Sequence, residues 1–226
     1  MSSSTPRAVT RLAADAQRVF GDRFVALVTY GADASVVFAS SISSEDLDAL
    51  SPLVETWHHD GLATPLVMTP DEFHRSLDAF PLEYQAMLDQ HTVVAGQAPF
   101  DGVSIKPDDL RRACETQARS HLIHLRQGWL HAAAHNHDLD GLLVRSATPF
   151  RVLISNVARL HGAVRATNDD LAFFAERTIG MPVGVARIVL DLEARPENVH
   201  AVRTRLREYL IATERLWNFV DTWRAS

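Results

Sequence analysis

Two apolar segments near the start of the chain are separated by only four residues. Phe24–Tyr30 and Ser35–Ala39 are rich in the β-branched and aromatic residues of strands, and Gly31 and Asp33 lie between them. So short a connection joins antiparallel neighbours, because a parallel pair needs a crossover of a dozen residues or more. The sequence therefore predicts a β-hairpin, with no room for a helix between its strands.

The rest of residues 1–102 alternates between helical and strand patterns. Apolar residues at helical spacing predict a helix over 5–20, and two further apolar segments predict strands over 64–68 and 91–95. Helix starts are marked by capping residues, namely Ser43 or Ser44 and the Thr69–Glu72 capping box, and Pro52 predicts a break. This part of the chain is predicted to form a small mixed sheet with flanking helices.

From residue 103 onward the pattern is helical. A long amphipathic stretch begins near Pro107 and ends near Ala134. Four further helices are predicted over 139–161, 168–179, 182–191 and 197–223. The fold class is therefore α+β, with a first domain over 1–102 and a helical bundle over 103–226.

The net charge also differs between the two predicted domains. The chain has 226 residues and a net charge of −6. Residues 1–102 contain five basic and fourteen acidic side chains, whereas residues 103–226 carry a net charge of +3. Phosphate binding needs a basic surface, so the first domain is not expected to bind nucleic acid.

The composition also limits where the protein acts. No run of 18 apolar residues is present, the first residues lack an apolar signal core, and Cys114 is the single cysteine. One cysteine excludes an internal disulfide and a zinc site of several cysteines. We expect a cytoplasmic protein with no membrane partner.

Several stretches occur in an order typical of one enzyme superfamily: Val28–Asp33, Thr64–Phe73, Phe80–Tyr84 and Arg119–Ala132. Together with a helix, a strand that ends at Tyr30–Gly31, and a later helical bundle, they resemble bacterial nucleotidyltransferases of the DNA polymerase β-like superfamily. The resemblance covers nearly the whole chain. It implies a nucleotidyltransferase-like mixed sheet followed by a helical bundle.

The catalytic pattern of that superfamily is incomplete in this chain. The resemblance implies a Gly-Ser turn that holds a triphosphate, and three strand carboxylates that position two magnesium ions. Gly31 matches the glycine, but Ala32 occupies the serine position. The strand segments Val36–Phe38 and Leu66–Met68 contain no carboxylate.

We therefore interpret Gly31, Ala32 and Asp33 as a vestigial nucleotide-binding turn. The prediction is a nucleotidyltransferase-fold protein without catalytic residues or a cofactor, which acts through ligand binding, self-association or an unidentified protein partner. The alternative is an active nucleotidyltransferase with an atypical magnesium site, formed by Asp33 with Glu45 or Asp46. Otherwise, Asp33 is a turn residue, and Glu45 and Asp46 are first-turn helix residues.

Histidines are concentrated on the long helix predicted near Pro107–Ala134. His131 and His135 have the four-residue spacing at which two imidazoles bind one metal ion, with His124 or Cys114 as a third ligand. The other interpretation is a partly solvated polar face. The sequence leaves both open.

The same helix matches a permissive ribonuclease pattern twice. Arg119 with His124 and Arg126 with His131 fit the Arg-x4-His spacing of HEPN ribonucleases, in which arginine holds the phosphate and histidine moves a proton. An arginine-rich helix with many histidines also produces this spacing by chance. A helix-borne ribonuclease is thus a second alternative function.

Overall fold

The computed structural model describes residues 5–31, 34–135, 138–163 and 166–223. The chain divides into two compact units, Met1–Ile105 and Lys106–Ser226. The first is a four-stranded mixed sheet with flanking helices, and the second is helical, so the fold is α+β. The division falls three residues after the boundary that the sequence predicts.

The described residues of the first unit form four strands and five α-helices. Its strands are β1 (Phe24–Tyr30), β2 (Ala34–Ala39), β3 (Leu66–Met68) and β4 (His91–Gly96). Its helices are α1 (Thr5–Phe20), α2 (Ser44–Leu50), α3 (Val54–His59), α4 (Pro70–Arg75) and α5 (Pro81–Asp89). A 3-10 turn over Ser51–Leu53 separates α2 from α3, so the break that Pro52 predicts is confirmed.

The strands lie in the order β3-β2-β1-β4. The predicted hairpin is confirmed, because β1 and β2 pair antiparallel with Leu27 opposite Val37. On its other side β1 pairs antiparallel with β4, and β2 pairs with β3 in parallel. The central strands β1 and β2 therefore have neighbours on both sides.

One face of the sheet is covered by α1 and by the segment after β2. Leu12, Ala16 and Phe20 of α1 pack with Leu27 of β1 and Val37 of β2. Trp57 of α3 belongs to the same cluster and is almost completely buried. Because alternate side chains of a strand point to opposite faces, Val36 and Phe38 belong to the other face.

Two short helices begin with the capping residues that the sequence predicts. The Ser43 hydroxyl accepts from the Asp46 amide, and the Asp46 carboxylate accepts from the Ser43 amide. At α4, Thr69 and Glu72 form the same reciprocal pair, with Pro70 at the first helical position. These bonds satisfy donors that a helix start would otherwise leave without partners.

The second unit contains six α-helices in the described part of the chain: α6 (Pro107–His135), α7 (Leu139–Leu160), α8 (Asn168–Arg177), α9 (Val185–Leu190), α10 (Val199–Thr204) and α11 (Leu206–Thr222). The long helix α6 packs against both α7 and α11. Among the described residues no helix combines the length and apolar character needed to cross a membrane.

The prediction of one continuous helix over 197–223 is wrong. Residues Pro196–Asn198 form a 3-10 turn, and α10 ends before Arg205, whose backbone has φ −112° and ψ 23°. The Arg205 guanidinium donates to the Val183 carbonyl oxygen at 2.8 Å and pairs with Glu208. These contacts with a distant loop and the next helix hold the backbone at the break, and helical periodicity does not reveal them.

Candidate functional site

The connection between β1 and β2 contains only residues 31–33. Gly31 has φ +61°, a left-handed conformation that glycine adopts without steric cost, and it is exposed. Ala32 and Asp33, the other two residues of the predicted vestigial turn, lie outside the described residues. The binding role of these three residues therefore remains a prediction.

Residues from a separate sequence motif lie beside this turn. Tyr30 is half-buried, and its pKa is raised above the usual value by burial first, then by Tyr84 and by Glu83. The Tyr84 hydroxyl lies 3.0 Å from the Ser76 hydroxyl. His91 of β4 is the register partner of Tyr30. The tertiary structure thus brings the Phe80–Tyr84 motif, for which the sequence indicates no chemistry, to the end of β1.

An aromatic layer covers the second face of the sheet. We use this name for five rings, those of Phe38, Phe73, Tyr84, His91 and Phe100. The Phe38 ring meets Phe73 and Phe100 edge-on, with centroids 5.6 and 5.9 Å apart, and Phe73 lies 5.0 Å from Tyr84. His91 contacts Phe100 at 4.8 Å. Edge-to-face packing of this kind stabilises an apolar surface.

None of the four strands carries an aspartate or a glutamate. Val36 and Phe38 of β2 are completely buried, and Phe38 is part of the aromatic layer. A two-metal centre needs several carboxylates that converge on the ions, because magnesium prefers oxygen ligands. The strands of this sheet provide no such ligands.

Asp46 is engaged in structural contacts. Its two carboxylate oxygens accept from the Arg23 guanidinium at 2.6 and 2.7 Å, and one of them also accepts from the Ser43 amide at 2.8 Å. These bonds, led by that from Arg23, hold the pKa of Asp46 far below its usual value. Glu45 beside it is an exposed first-turn residue of α2. Both carboxylates thus take the first-turn positions that the capping pattern predicts.

The predicted metal pair lies on α6. His131 is exposed, whereas the side chain of His135 lies outside the described residues, so this pair stays a prediction. Among the side chains that the structure describes, no three or more His, Cys, Asp or Glu come together as a metal site. Cys114 is completely buried, which raises the pKa of its thiol to about 12. A thiol that remains protonated is a poor ligand.

The arginines of the two Arg-x4-His matches form ion pairs. Arg119 lies 3.5 Å from Glu115 and 3.8 Å from Asp221, and its guanidinium stacks over Trp217 at 5.1 Å. Arg126 pairs with Glu214 of α11. These contacts give both arginines a role in joining α6 to α11, independent of any phosphate.

A buried chain of polar side chains crosses three helices of the second unit. Nε2 of His121 on α6 lies 3.0 Å from the hydroxyl of Tyr209 on α11. That hydroxyl donates to Ser146 of α7 at 3.1 Å, and Ser146 donates to the Leu143 carbonyl oxygen at 2.7 Å. Helical periodicity does not predict these hydrogen bonds, because the residues that they join are up to 88 positions apart.

The direction of these bonds determines the state of His121. Each hydroxyl has one proton, and those of Ser146 and Tyr209 are already donated along the chain. Nε2 of His121 must therefore carry the hydrogen that it shares with Tyr209. Burial, followed by the nearby His124, lowers the pKa of His121 to about 4, so its ring is neutral at pH 7.

Comparison with known proteins adds no family. No family model matches the chain. No curated protein matches it either. The two features that bear on function are the covered sheet of the first unit and the polar chain of the second.

Proposed function

We propose that this chain is a nucleotidyltransferase-fold protein that lacks a transfer centre and acts by binding a ligand or a protein partner. The observation that carries the proposal is the second face of the sheet. It presents buried apolar side chains and the aromatic layer where metal-dependent transfer needs converging carboxylates.

The order of the elements supports the fold part of the proposal. A helix precedes β1, β1 ends at Tyr30, and strands and helices alternate up to β4 before the helical unit begins. This is the order on which the resemblance to the DNA polymerase β-like superfamily rests. Two of its motifs, the end of β1 and Phe80–Tyr84, also lie near each other, since Tyr84 and Glu83 help to raise the pKa of Tyr30.

The short connection between β1 and β2 supports the proposed absence of nucleotidyl transfer. Only three residues join β1 to β2, so no loop or short helix can enclose a triphosphate between these strands. Asp46, a candidate for the alternative magnesium site, already has both oxygens bound to Arg23. If Asp46 left this ion pair to bind magnesium, the Arg23 guanidinium would lose its carboxylate partner.

Nucleotide binding and turnover can be measured separately on the full chain. We expect titration calorimetry with ATP and with CTP to give heats that are unchanged by magnesium, since the strands offer the ion no ligands. We also expect no pyrophosphate release above the buffer rate. Sedimentation velocity over a range of protein concentrations tests self-association in the same preparation.

Two results would overturn this proposal. Magnesium-dependent nucleotide binding would mean that carboxylates outside the strands form a metal site, and turnover to pyrophosphate would make the chain an enzyme. In that case Asp46→Asn becomes the decisive variant, with Asp48→Asn as its control, because Asp48 is an exposed residue of the same helix. Loss of turnover in Asp46→Asn but not in Asp48→Asn, at a temperature where circular dichroism shows both variants folded, would assign the atypical site.

A further inference from the structure

A cavity of about 230 Å³ lies between α6 and α7 in the second unit. His121 and Ser146, both members of the buried polar chain, line it. The cavity therefore reaches the polar groups that three helices hold in place.

The polar chain has an open end at His121. This side chain is nine-tenths buried, and Phe150 stacks on its ring with centroids 5.8 Å apart. Nε2 is bound to Tyr209, whereas Nδ1 has no hydrogen-bond partner within the described part of the chain. Because His121 lines the cavity, this nitrogen is available to accept a hydrogen bond from a molecule that enters it.

The remaining polar wall consists of hydrogen-bond donors and a cation. Gln117, Ser120, His124 and Arg145 complete it, together with apolar side chains, and the lining contains no carboxylate. Arg145 has a side chain that is 71% exposed, and its contact with Asp138 is long, at 3.7 Å. So exposed a pair contributes little stability, and a ligand can compete for the guanidinium at low cost.

We propose that this cavity binds a small molecule bearing an oxyanion, either a carboxylate or a phosphate group, with Arg145 as its counter-ion. Guanidinium groups bind both oxyanions through paired hydrogen bonds. Since His121 is neutral and its Nε2 hydrogen is shared with Tyr209, Nδ1 can only accept a hydrogen bond, from a hydroxyl or amide hydrogen of the ligand. The positive charge that meets the oxyanion comes from Arg145. Ser146 and Tyr209 are positioning residues that hold the His121 ring.

The test uses the full chain labelled with ¹⁵N at its histidines. Inorganic phosphate and acetate are titrated separately at constant ionic strength, and the ring signals of His121 and His124 are followed. We expect saturable shifts with half-saturation on the order of 1 mM for the anion whose group fits. Preference for phosphate or for acetate identifies the group that the natural ligand carries.

Two variants test the assignment. Arg145→Gln should raise the half-saturation concentration at least about tenfold, because the ligand loses its counter-ion. Arg207→Gln makes the same change of charge at an exposed position on α11 outside the cavity and should leave binding unchanged. Both positions are exposed, so neither substitution disturbs a core.

The proposal is overturned if the shifts rise without saturation, or if they saturate equally in Arg145→Gln. The titration contains no nucleotide and no magnesium, and the cavity lies within the second unit. If no anion binds, the proposed absence of nucleotidyl transfer in the first unit is unaffected. If magnesium-dependent transfer is found, the proposed anion site in the second unit is likewise unaffected.

Discussion

The buried carboxylate of Asp46 has a structural role. Asp46 is only 5% exposed, and the Arg23 guanidinium and the Ser43 amide occupy its carboxylate. It connects Arg23, the residue before β1, to the start of α2. The acidic excess of the first 102 residues is thus partly structural, because this carboxylate fixes a helix start.

Replacement of this carboxylate has a predictable pH dependence. The pKa of Asp46 is depressed in the folded state, so its stabilising contribution is present above the unfolded value of about 3.9. The contribution is lost as the pH falls below that value toward the folded pKa. We expect Asp46→Asn to lower the melting temperature at pH 7, and the difference from the natural protein to shrink below about pH 4.

Thermal unfolding followed by circular dichroism between pH 7 and pH 3 measures this difference. Asp48→Asn on the same helix is the matched control and should have a small effect throughout, since its side chain is exposed. A difference for Asp46→Asn that stays constant down to pH 3 would contradict the assigned role of the ion pair.

Of the two contacts that hold Asp46, the sequence predicts only the one at the helix start. Ser43 or Ser44 is predicted to cap α2, and in the structure Ser43 is the cap and forms a capping box with Asp46. The Arg23 partner lies 23 residues earlier, beyond the reach of any local pattern. The same is true of His121 and Tyr209, whose pairing depends on how α6 and α11 pack.

At the level of elements, the end of β4 depends on one glycine. Gly96 has φ +74° and lies opposite Ala26 of β1. A Cβ atom there would lie 2.0 Å from the Val25 carbonyl oxygen, which also accepts from the Gln97 amide. The backbones approach so closely that a larger residue must displace the strand.

We expect Gly96→Ala to destabilise the protein by about 3 kcal/mol or more, because backbone strain and a backbone clash act together. Gly102→Ala is the control, since Gly102 has nearly the same φ, +72°, but open space around its Cβ position. That change should cost only about 1 kcal/mol, the cost of the left-handed conformation alone. Urea unfolding gives both values.

Equal losses of stability in the two variants would show that the close approach of β4 to β1 at Gly96 adds nothing to the cost of the substitution.

The sequence predicts β4 from its apolar segment but not its place in the sheet. The strand order puts it beside β1 rather than beside β3, the strand that precedes it in the chain. Neighbour choice of this kind is decided by packing of both sheet faces, not by strand propensity.

For the whole molecule, the two units have separate cores. Trp57 is buried in the apolar cluster of the first unit, whereas Phe150 and Tyr209 are completely buried in the second. We expect fragments 1–105 and 106–226 to unfold cooperatively when produced separately, because a unit with its own core can fold alone. Urea titration followed by tryptophan fluorescence measures this for each fragment.

Fragment 1–90 serves as a control for the first unit. It keeps Trp57 but lacks β4, so β1 loses one of its two hydrogen-bonded neighbours. This fragment should show the emission of a solvated tryptophan without a cooperative transition. If fragment 1–105 behaves in the same way, the first unit does not fold independently and the prediction is wrong.

The hairpin, the helix caps and the change from a mixed sheet to helices can all be predicted from the sequence. These features follow from local spacing, because turn length, capping residues and apolar periodicity act over a few residues. Contacts between distant side chains are set by tertiary packing. The aromatic layer over Phe38 and the chain from His121 to Ser146 depend on packing between elements far apart in the chain, which local patterns do not encode.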